Sequence, residues 1–499
     1  MSFDWRKWLT DFLLKIIKLL TQQKNQTFKI GNTNIFLRDI HIPSWVVGLV
    51  IYIFLLLIFF YEFGLGYKIF IAINLMLAGF IFFGVYFLKK YSPEILEDDD
   101  SIALIGLVVI VFVFITLIIR NSGRGHFMMT PLPAATMLLN IFLGPIVAFI
   151  VSFALVIIMT LFYDYNFTVF LALFFMCLTA MYGTRNVMNR KDITKTGLYI
   201  GLFNFITIII LHCLFSISSN EIFVLFMLGM LNGIGSAIIT VGVLPYMESF
   251  FSIVTNIKLL ELSDFTQPLL KQMLIDAPGT YHHSIIVGNL AEAAAREIDA
   301  NPLLTRVGAY YHDIGKIDKA DYFVENKSQY TANKHDELNP NLSSLIIISH
   351  VKDGINLAKK LKFPKKLVDI IEQHHGDSLI SYFYNKAKME YINENLDEKK
   401  YRYPYKKPRS KEAAIIMLAD SVEAAMHSEK DFSHPNLKLV VNKIINNKFI
   451  DGQLEEAEIT LSDLNTISNS FISTLKGIYH NRIVYPEAKK GENENNIFK

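Results

Sequence analysis

The chain has 499 residues, of which 52% are hydrophobic and only 19% charged, with a net charge of +2 and a mean hydropathy of +0.33. That balance is too apolar for an ordinary soluble domain and implies a membrane protein carrying a soluble portion. The small net charge excludes the basic footprint of a nucleic-acid binder, so no nucleic-acid polymer is expected as a partner, and the only two cysteines, Cys177 and Cys213, lie in apolar runs and cannot build a disulfide scaffold or a zinc cluster.

Residues 1–43 are polar to amphipathic. Their run Trp8–Leu20 is interrupted by Asp11, Lys15 and Lys18, is too short and charged to span, and is followed by no small-residue cleavage site. It reads as a segment lying on the membrane surface, not a signal peptide. Apolar runs then follow near 44–61, 67–88, 102–119, 134–162, 167–183, 196–217 and 221–247. A spanning helix needs about 20 apolar residues, so residues 44–247 are expected to form a bundle of about seven transmembrane helices in a lipid bilayer. Gly144-Pro145 inside the fourth run predicts a kink or a tilt.

The spans hold almost no ionisable side chains, which argues against a transporter. Asn140, Asn204, His212 and Asn232 are their main polar groups and are expected to hydrogen-bond between helices. The basic loop with Arg185, Arg190, Lys191 and Lys195 places 184–195 in the cytoplasm, and with it everything after residue 248. The acidic loop Glu94–Asp100 and the N-terminus then fall outside, against the preference of Arg6, Lys7, Lys15 and Lys18; the C-terminal end is given precedence.

After Pro245 the composition changes. Residues 248–262 read as a linker helix, 263–485 as a compact all-helical domain with an exposed insertion at 386–411, and 486–499 as a disordered tail. The fold class is therefore all-α: a polytopic membrane bundle followed by a cytoplasmic helical domain.

That domain concentrates the chemistry. His312 and Asp313 stand side by side, with His283 upstream and His350, His374, His375 and Asp420 downstream. Imidazoles and carboxylates without thiolates suit hard-to-borderline divalent metals. An adjacent His-Asp pair can serve two metals, because its carboxylate can bridge. Ligands so far apart in sequence imply several helices converging, as in di-metal bundles. A lone histidine near a helix end is ordinarily a cap or a surface group; the joint pattern reverses that. Asp420 lies in the otherwise apolar Ala413–Ala425, where an unpaired carboxylate is expensive. His282 is expected to pack, His427 to lie on the surface, and His335-Asp336 sits in a polar, loop-like setting.

The order His, His-Asp, His, His-His, Asp resembles the HD-domain phosphohydrolases in their di-metal form. Ala277-Pro-Gly-Thr-Tyr-His-His-Ser, Gly288-Asn-Leu-Ala-Glu-Ala-Ala-Ala, Val307-Gly-Ala-Tyr-Tyr-His-Asp-Ile-Gly-Lys, Ser349-His-Val-Lys-Asp-Gly, Ile370-Ile-Glu-Gln-His-His-Gly and Met417-Leu-Ala-Asp-Ser-Val-Glu-Ala-Ala are similar to the seven-transmembrane receptor HD family. The resemblance is tight over 260–430 and loose over the membrane bundle. It implies hydrolysis of cyclic di-AMP to 5′-pApA in a bacterial inner membrane, with two divalent ions, iron or manganese, per domain. It places His283, His312, Asp313 and Asp420 on one ion and Asp313, His350, His374 and His375 on the other. Such proteins carry a large extracellular domain; only about 43 residues precede the first apolar run here, so extracellular ligand sensing is not expected.

The residues themselves suit that chemistry. Paired divalent ions make hydroxide available near neutral pH for in-line attack on phosphorus, and Lys316 can neutralise charge on the phosphoryl oxygens or pair with a neighbouring acid. Asp313 and Lys316 are thus the candidate catalytic residues, Lys316 also the candidate substrate contact. The main rivals are a nucleotide-binding receptor without turnover and a hydrolase of another cyclic dinucleotide or nucleotide. The Gly-Tyr-Pro element of cyclic-di-GMP relatives is replaced by Gly-Asp-Ser-Leu-Ile-Ser-Tyr-Phe after His375. The oligomeric state is left open, a homo-oligomer being compatible.

Overall fold

The computed structural model describes residues 28–30, 33–35 and 44–479, apart from 64–65, 123–125, 216–218, 328–333, 391–395 and 428. The run Trp8–Leu20 and the tail from Pro486 lie outside the described residues. The chain divides into two compact units, Met1–Phe251 and Ser252–Lys499.

In the first unit, a short antiparallel ribbon pairs β1 (Phe28–Ile30) with β2 (Thr33–Ile35) in the register Phe28 to Ile35. The elements described after it are helices: α1 (Ser44–Phe63), α2 (Tyr67–Tyr91), the short α3 (Pro93–Glu97), α4 (Asp99–Asn121), α5 (Leu132–Leu143), α6 (Pro145–Phe162), α7 (Phe167–Gly183), α8 (Arg190–Phe215) and α9 (Ser219–Phe251). The fourth apolar run is therefore not one kinked helix but two, α5 and α6. Gly144 adopts φ +85°, and Pro145 opens the new helix where its missing N–H costs nothing. Among the described residues six helices have the length and composition to cross a bilayer: α1, α2, α4, α6, α8 and α9. The apolar α7 has 17 residues, about 26 Å at 1.5 Å per residue, so it is short for a hydrocarbon core of about 30 Å.

Lipid is the solvent these surfaces fit. Leu57, Leu75, Phe82 and Leu231 are exposed, whereas Asn140, Asn204 and Asn232 are buried. Asn232 Nδ2 donates to the carbonyls of Met128 and Thr130 at 2.6 and 2.7 Å, and Asn140 Nδ2 to Met181 O and Thr184 Oγ1 at 2.8 and 2.9 Å. These are the expected hydrogen bonds between segments, satisfying backbone carbonyls that lipid cannot. Helices α8 and α9 approach closely where Gly197 faces Gly233, leaving no room for a side chain between the backbones.

The second unit comprises α10 (Asn256–Leu262), α11 (Pro268–Asp276), α12 (Pro278–Glu297), α13 (Pro302–Tyr311), α14 (Pro340–Lys360), α15 (Lys365–Gln373), α16 (Ser381–Glu390), α17 (Lys411–Met426), α18 (His434–Ile450) and α19 (Leu461–Ile478), with 3-10 turns at Ile314–Tyr322, Val324–Asn326, Lys334–Glu337 and Glu398–Tyr401. The expected single linker helix over 248–262 is instead divided. Glu248–Phe251 complete α9, and α10 starts afresh at Asn256, where the Thr255 hydroxyl accepts from Lys258 N.

The core of this unit is built around α17, whose residues Ala413–Ala419 are almost wholly buried on every side. A helix segment apolar all round belongs in the centre of a bundle, and Asp420 and Glu423, which follow it on the same helix, are buried too. The 3-10 turn after Asp313 lies against α14 at Gly315: a Cβ there would sit 1.9 Å from His350 O and 2.4 Å from Gly354 N. Glycine is needed for backbone approach, and that approach sets Asp313 opposite His350. Gly315→Ala is therefore expected to lower the melting temperature of this unit by roughly 5–10 °C, through overpacking of about 2–3 kcal/mol. Gly477→Ala, with open space around its Cβ, should leave melting unchanged or raise it slightly; equal melting of the two variants would refute this account.

Candidate metal centre

Three of the candidate histidines sit where helices supply a tether. His312 is the C-cap of α13 and His374 the C-cap of α15. Carbonyls in a last helical turn lack intrahelical donors. His312 Nδ1 lies 2.7 Å from Ala309 O, and His374 Nδ1 lies 2.8 Å from Ile371 O. His350 Nδ1 does the same to Ile347 O at 2.5 Å, but from the middle of α14 rather than from a helix end. Because a carbonyl only accepts, each Nδ1 carries a proton and each Nε2 is turned to the interior, as a lone pair wherever the ring is neutral. Capping and metal binding are thus not alternatives: one ring nitrogen does each.

His283 lies in the second turn of α12, which begins at Pro278. Its Nδ1 is 2.5 Å from Glu423 Oε2, and its Nε2 is 3.0 Å from Asp420 Oδ1. Both acids come from α17, one turn apart. Glu423, completely buried, was not singled out from sequence; its signal was the i, i+3 spacing from Asp420, which puts both on one helix face.

Asp313, 1% exposed, stands at the middle. Its Oδ2 faces His312 Nε2 at 3.2 Å and His283 Nε2 at 3.7 Å. Its Oδ1 faces His350 Nε2 at 3.3 Å and His374 Nε2 at 3.7 Å. The ligand atoms of His283, His312 and Asp313 lie within 4.8 Å of one another, and so do those of Asp313, His350, His374 and His375. Asp420 borders both sets, 3.8 Å from His312 Nε2 and 3.6 Å from His375 Nδ1. All seven expected ligands converge.

These atoms fit metal better than they fit each other. The Nε2 atoms of His350 and His374 are 3.3 Å apart with both Nδ1 protons spent on carbonyls, so two lone pairs confront one another. His283 Nε2, His312 Nε2 and Asp313 Oδ1 are buried without a well-formed hydrogen bond. Groups left so are costly unless a cation completes them. Burial pushes His374 down to about 3, aided by His312, and holds His350 and His375 below the ordinary range, so all three are neutral and ready to ligate. Burial also opposes charge on His283 and His312, but the carboxylates beside them prevail and raise these to about 10 and about 9. Asp313 is held well below the carboxylate range, burial being outweighed by His312 and Lys316.

Lys316 Nζ sits 2.7 Å from Asp313 Oδ2 and 2.9 Å from Glu325 Oε1. Of its two expected roles, pairing with a neighbouring acid is the one this geometry contains. Against burial, the two acids raise its pKa and keep it charged. The insertion at 386–411 is not simply exposed, because Tyr401 and Tyr403 fold inward. Tyr401 is fully buried, and Tyr403, 7% exposed, stacks on His375. His335 is buried away from both ligand sets, its Nε2 2.9 Å from Tyr322 O, and Asp336 is exposed. His282 is exposed rather than packed, and His427 is on the surface as expected.

Two outcomes are expected. Glu423→Gln should weaken divalent-metal affinity about 10–100-fold, as loss of an outer partner does, read by Mn²⁺ titration of the metal-free protein. Metal loading at pH 7.5 should release protons from His283 and His312, since both hold them up to about 10 and about 9. Affinity should therefore rise with pH toward that range, which calorimetry in buffers of different ionisation enthalpy detects; a flat profile from pH 6.5 to 9 would contradict it.

The family described as "7TM receptor with intracellular HD hydrolase" matches residues 67–255, and the HD domain matches 280–425. The cyclic-di-AMP phosphodiesterase PgpH of Bacillus subtilis (strain 168) is 37% identical over 428 residues, covering 83% of this chain and 60% of the relative. PgpH of Listeria monocytogenes serotype 1/2a (strain 10403S) is 38% identical over 433 residues, covering 85% and 59%. The crystal structure of the L. monocytogenes PgpH HD domain in complex with cyclic-di-AMP is 48% identical, covering 44% of this chain and all of that one, with a TM-score of 0.41. The chain thus spans about 60% of the length of the curated relatives it matches. Its apolar helices and the first of these matches make it a multi-pass membrane protein. The chain thus carries, in order along the sequence, a match to the family described as seven-transmembrane receptors with an intracellular HD hydrolase and a match to the HD domain.

Proposed function

We propose that this chain is a membrane-bound phosphodiesterase that opens cyclic di-AMP to 5′-pApA, with its HD domain on the cytoplasmic side of a bacterial inner membrane. The observation that carries the reading is the buried Asp313 carboxylate, one oxygen turned to His283 and His312 and the other to His350 and His374. The names of the relatives support the choice of substrate.

Two divalent ions, iron or manganese, would be held by His283, His312, Asp313 and Asp420 on one side and by Asp313, His350, His374 and His375 on the other. When bound, they would supply Lewis acidity that makes hydroxide available near neutral pH. In the reaction, water oxygen bonds to one phosphorus, that phosphorus–O3′ bond breaks, and the 3′ oxygen takes up a proton, leaving a 5′-phosphate. Asp313 is the acceptor that holds the two ligand sets in register. Lys316, kept charged by Asp313 and Glu325, places positive charge beside Asp313, where it offsets charge gathering on phosphoryl oxygens. The tethered Nδ1 protons hold the imidazoles still, so little reorganisation is needed during attack.

The full chain in detergent, offered cyclic di-AMP, cyclic di-GMP and pApA separately with Mn²⁺ or anaerobic Fe²⁺, tests this. Turnover of cyclic di-AMP to pApA is expected, falling in Asp313→Ala to the level of the metal-free protein. Preference for cyclic di-GMP or pApA would overturn the substrate, and metal binding without turnover of any would point to a nucleotide receptor.

A further inference from the structure

Five imidazoles line the site, and four of them are held by a hydrogen bond through Nδ1: His283 to Glu423, and His312, His350 and His374 to backbone carbonyls. His375 is different. Its Nδ1 is the nitrogen aimed into the site, 3.6 Å from Asp420 Oδ2, so the atom the others use as a tether is already engaged. Its ring instead lies face to face with the phenol ring of Tyr403, centroids 4.4 Å apart and planes 26° from parallel.

The backbone delivers that ring deliberately. Past the His374-His375 pair the chain runs back along the strap that carries Tyr403. Tyr403 N donates to Ser378 O at 3.1 Å, and Ile380 N to Tyr401 O at 2.9 Å. Between them, Arg402 Nη1 donates to Asp377 O at 3.0 Å, and its Nη2 pairs with Asp451 Oδ1 at 3.0 Å. The strap is therefore pinned at Tyr401, Arg402 and Tyr403 to residues that closely follow His375. A stacked ring fixes the plane of an imidazole while leaving both of its nitrogens available, which a hydrogen bond cannot do.

We propose that Tyr403 is a positioning residue for His375, replacing with its ring face the hydrogen-bonded tether that the other four imidazoles have. This rests on the reading of the site as a metal centre.

The test uses the full chain in detergent, stripped of metal and titrated with Mn²⁺ alone, with bound metal read by the loss of the free-ion electron paramagnetic resonance signal. Tyr403→Leu and Tyr403→Met fill comparable space without a π face. Each should weaken one Mn²⁺ equivalent about 10–100-fold, the same equivalent that His375→Ala abolishes, with the melting temperature of the metal-free protein little changed. Tyr403→Phe keeps the stack and should bind as the unsubstituted chain does. Leu and Met variants with unsubstituted affinity would overturn the proposal, and so would a Phe variant as weak as they are, since the hydroxyl would then be the active part. Failure of the unsubstituted chain to bind Mn²⁺ at all would overturn the metal reading itself, and this inference with it.

Discussion

A carboxylate that is all but sealed from water has to be compensated, and Asp313 is the constraint on which the rest of the second unit depends. Its surroundings are organised around that need: Lys316 on one oxygen, imidazoles on both, and the 3-10 turn that lets Gly315 slide against the backbone of α14. Removing water raises the strength of every one of these interactions and the cost of leaving any of them incomplete. Lys316 cannot satisfy the carboxylate alone, because His350 and His374 turn lone pairs, not protons, toward its other oxygen. The arrangement is balanced only by positive charge placed among them.

The imidazoles show how ordinary helix chemistry is put to this use. A helix end has surplus carbonyls, and a histidine cap that satisfies one of them is locked into a single tautomer with its second nitrogen pointing away. His312 and His374 do this at the ends of α13 and α15, and His350 does it within α14. Where no carbonyl serves, other groups take over: Glu423 for His283, and the ring of Tyr403 for His375. The apolar α17 makes the first of these possible, since only a central helix can present Asp420 and Glu423 to the same buried imidazole.

The membrane unit follows a different solvent rule. Large apolar residues such as Leu57, Leu75, Phe82 and Leu231 face outward, whereas Asn140 and Asn232 are buried and donate to backbone carbonyls that would otherwise meet lipid. The apolar runs were legible in the chain because length and hydropathy are local properties. Where the reading differed, the cause was also local but conformational. Gly144 leaves the helical region and divides one run into α5 and α6, whereas Pro245 is carried inside α9 without ending it. Hydropathy does not distinguish those two outcomes.

By itself the sequence determined the helical class, the apolar runs and the identity of the metal-binding candidates, because His-Asp and His-His adjacency and a carboxylate in an apolar helix are visible within a few residues. The tertiary structure alone decided which nitrogen of each histidine faces inward, how the two oxygens of Asp313 are shared, and that Lys316 rests on Asp313 and Glu325. It alone also brought in Glu423, 140 positions from His283, and folded Tyr403 inward from a lysine-rich stretch that reads as solvent-facing. Periodicity reports which face of one element is apolar, but a tether between two elements depends on their relative placement, and no local pattern encodes that.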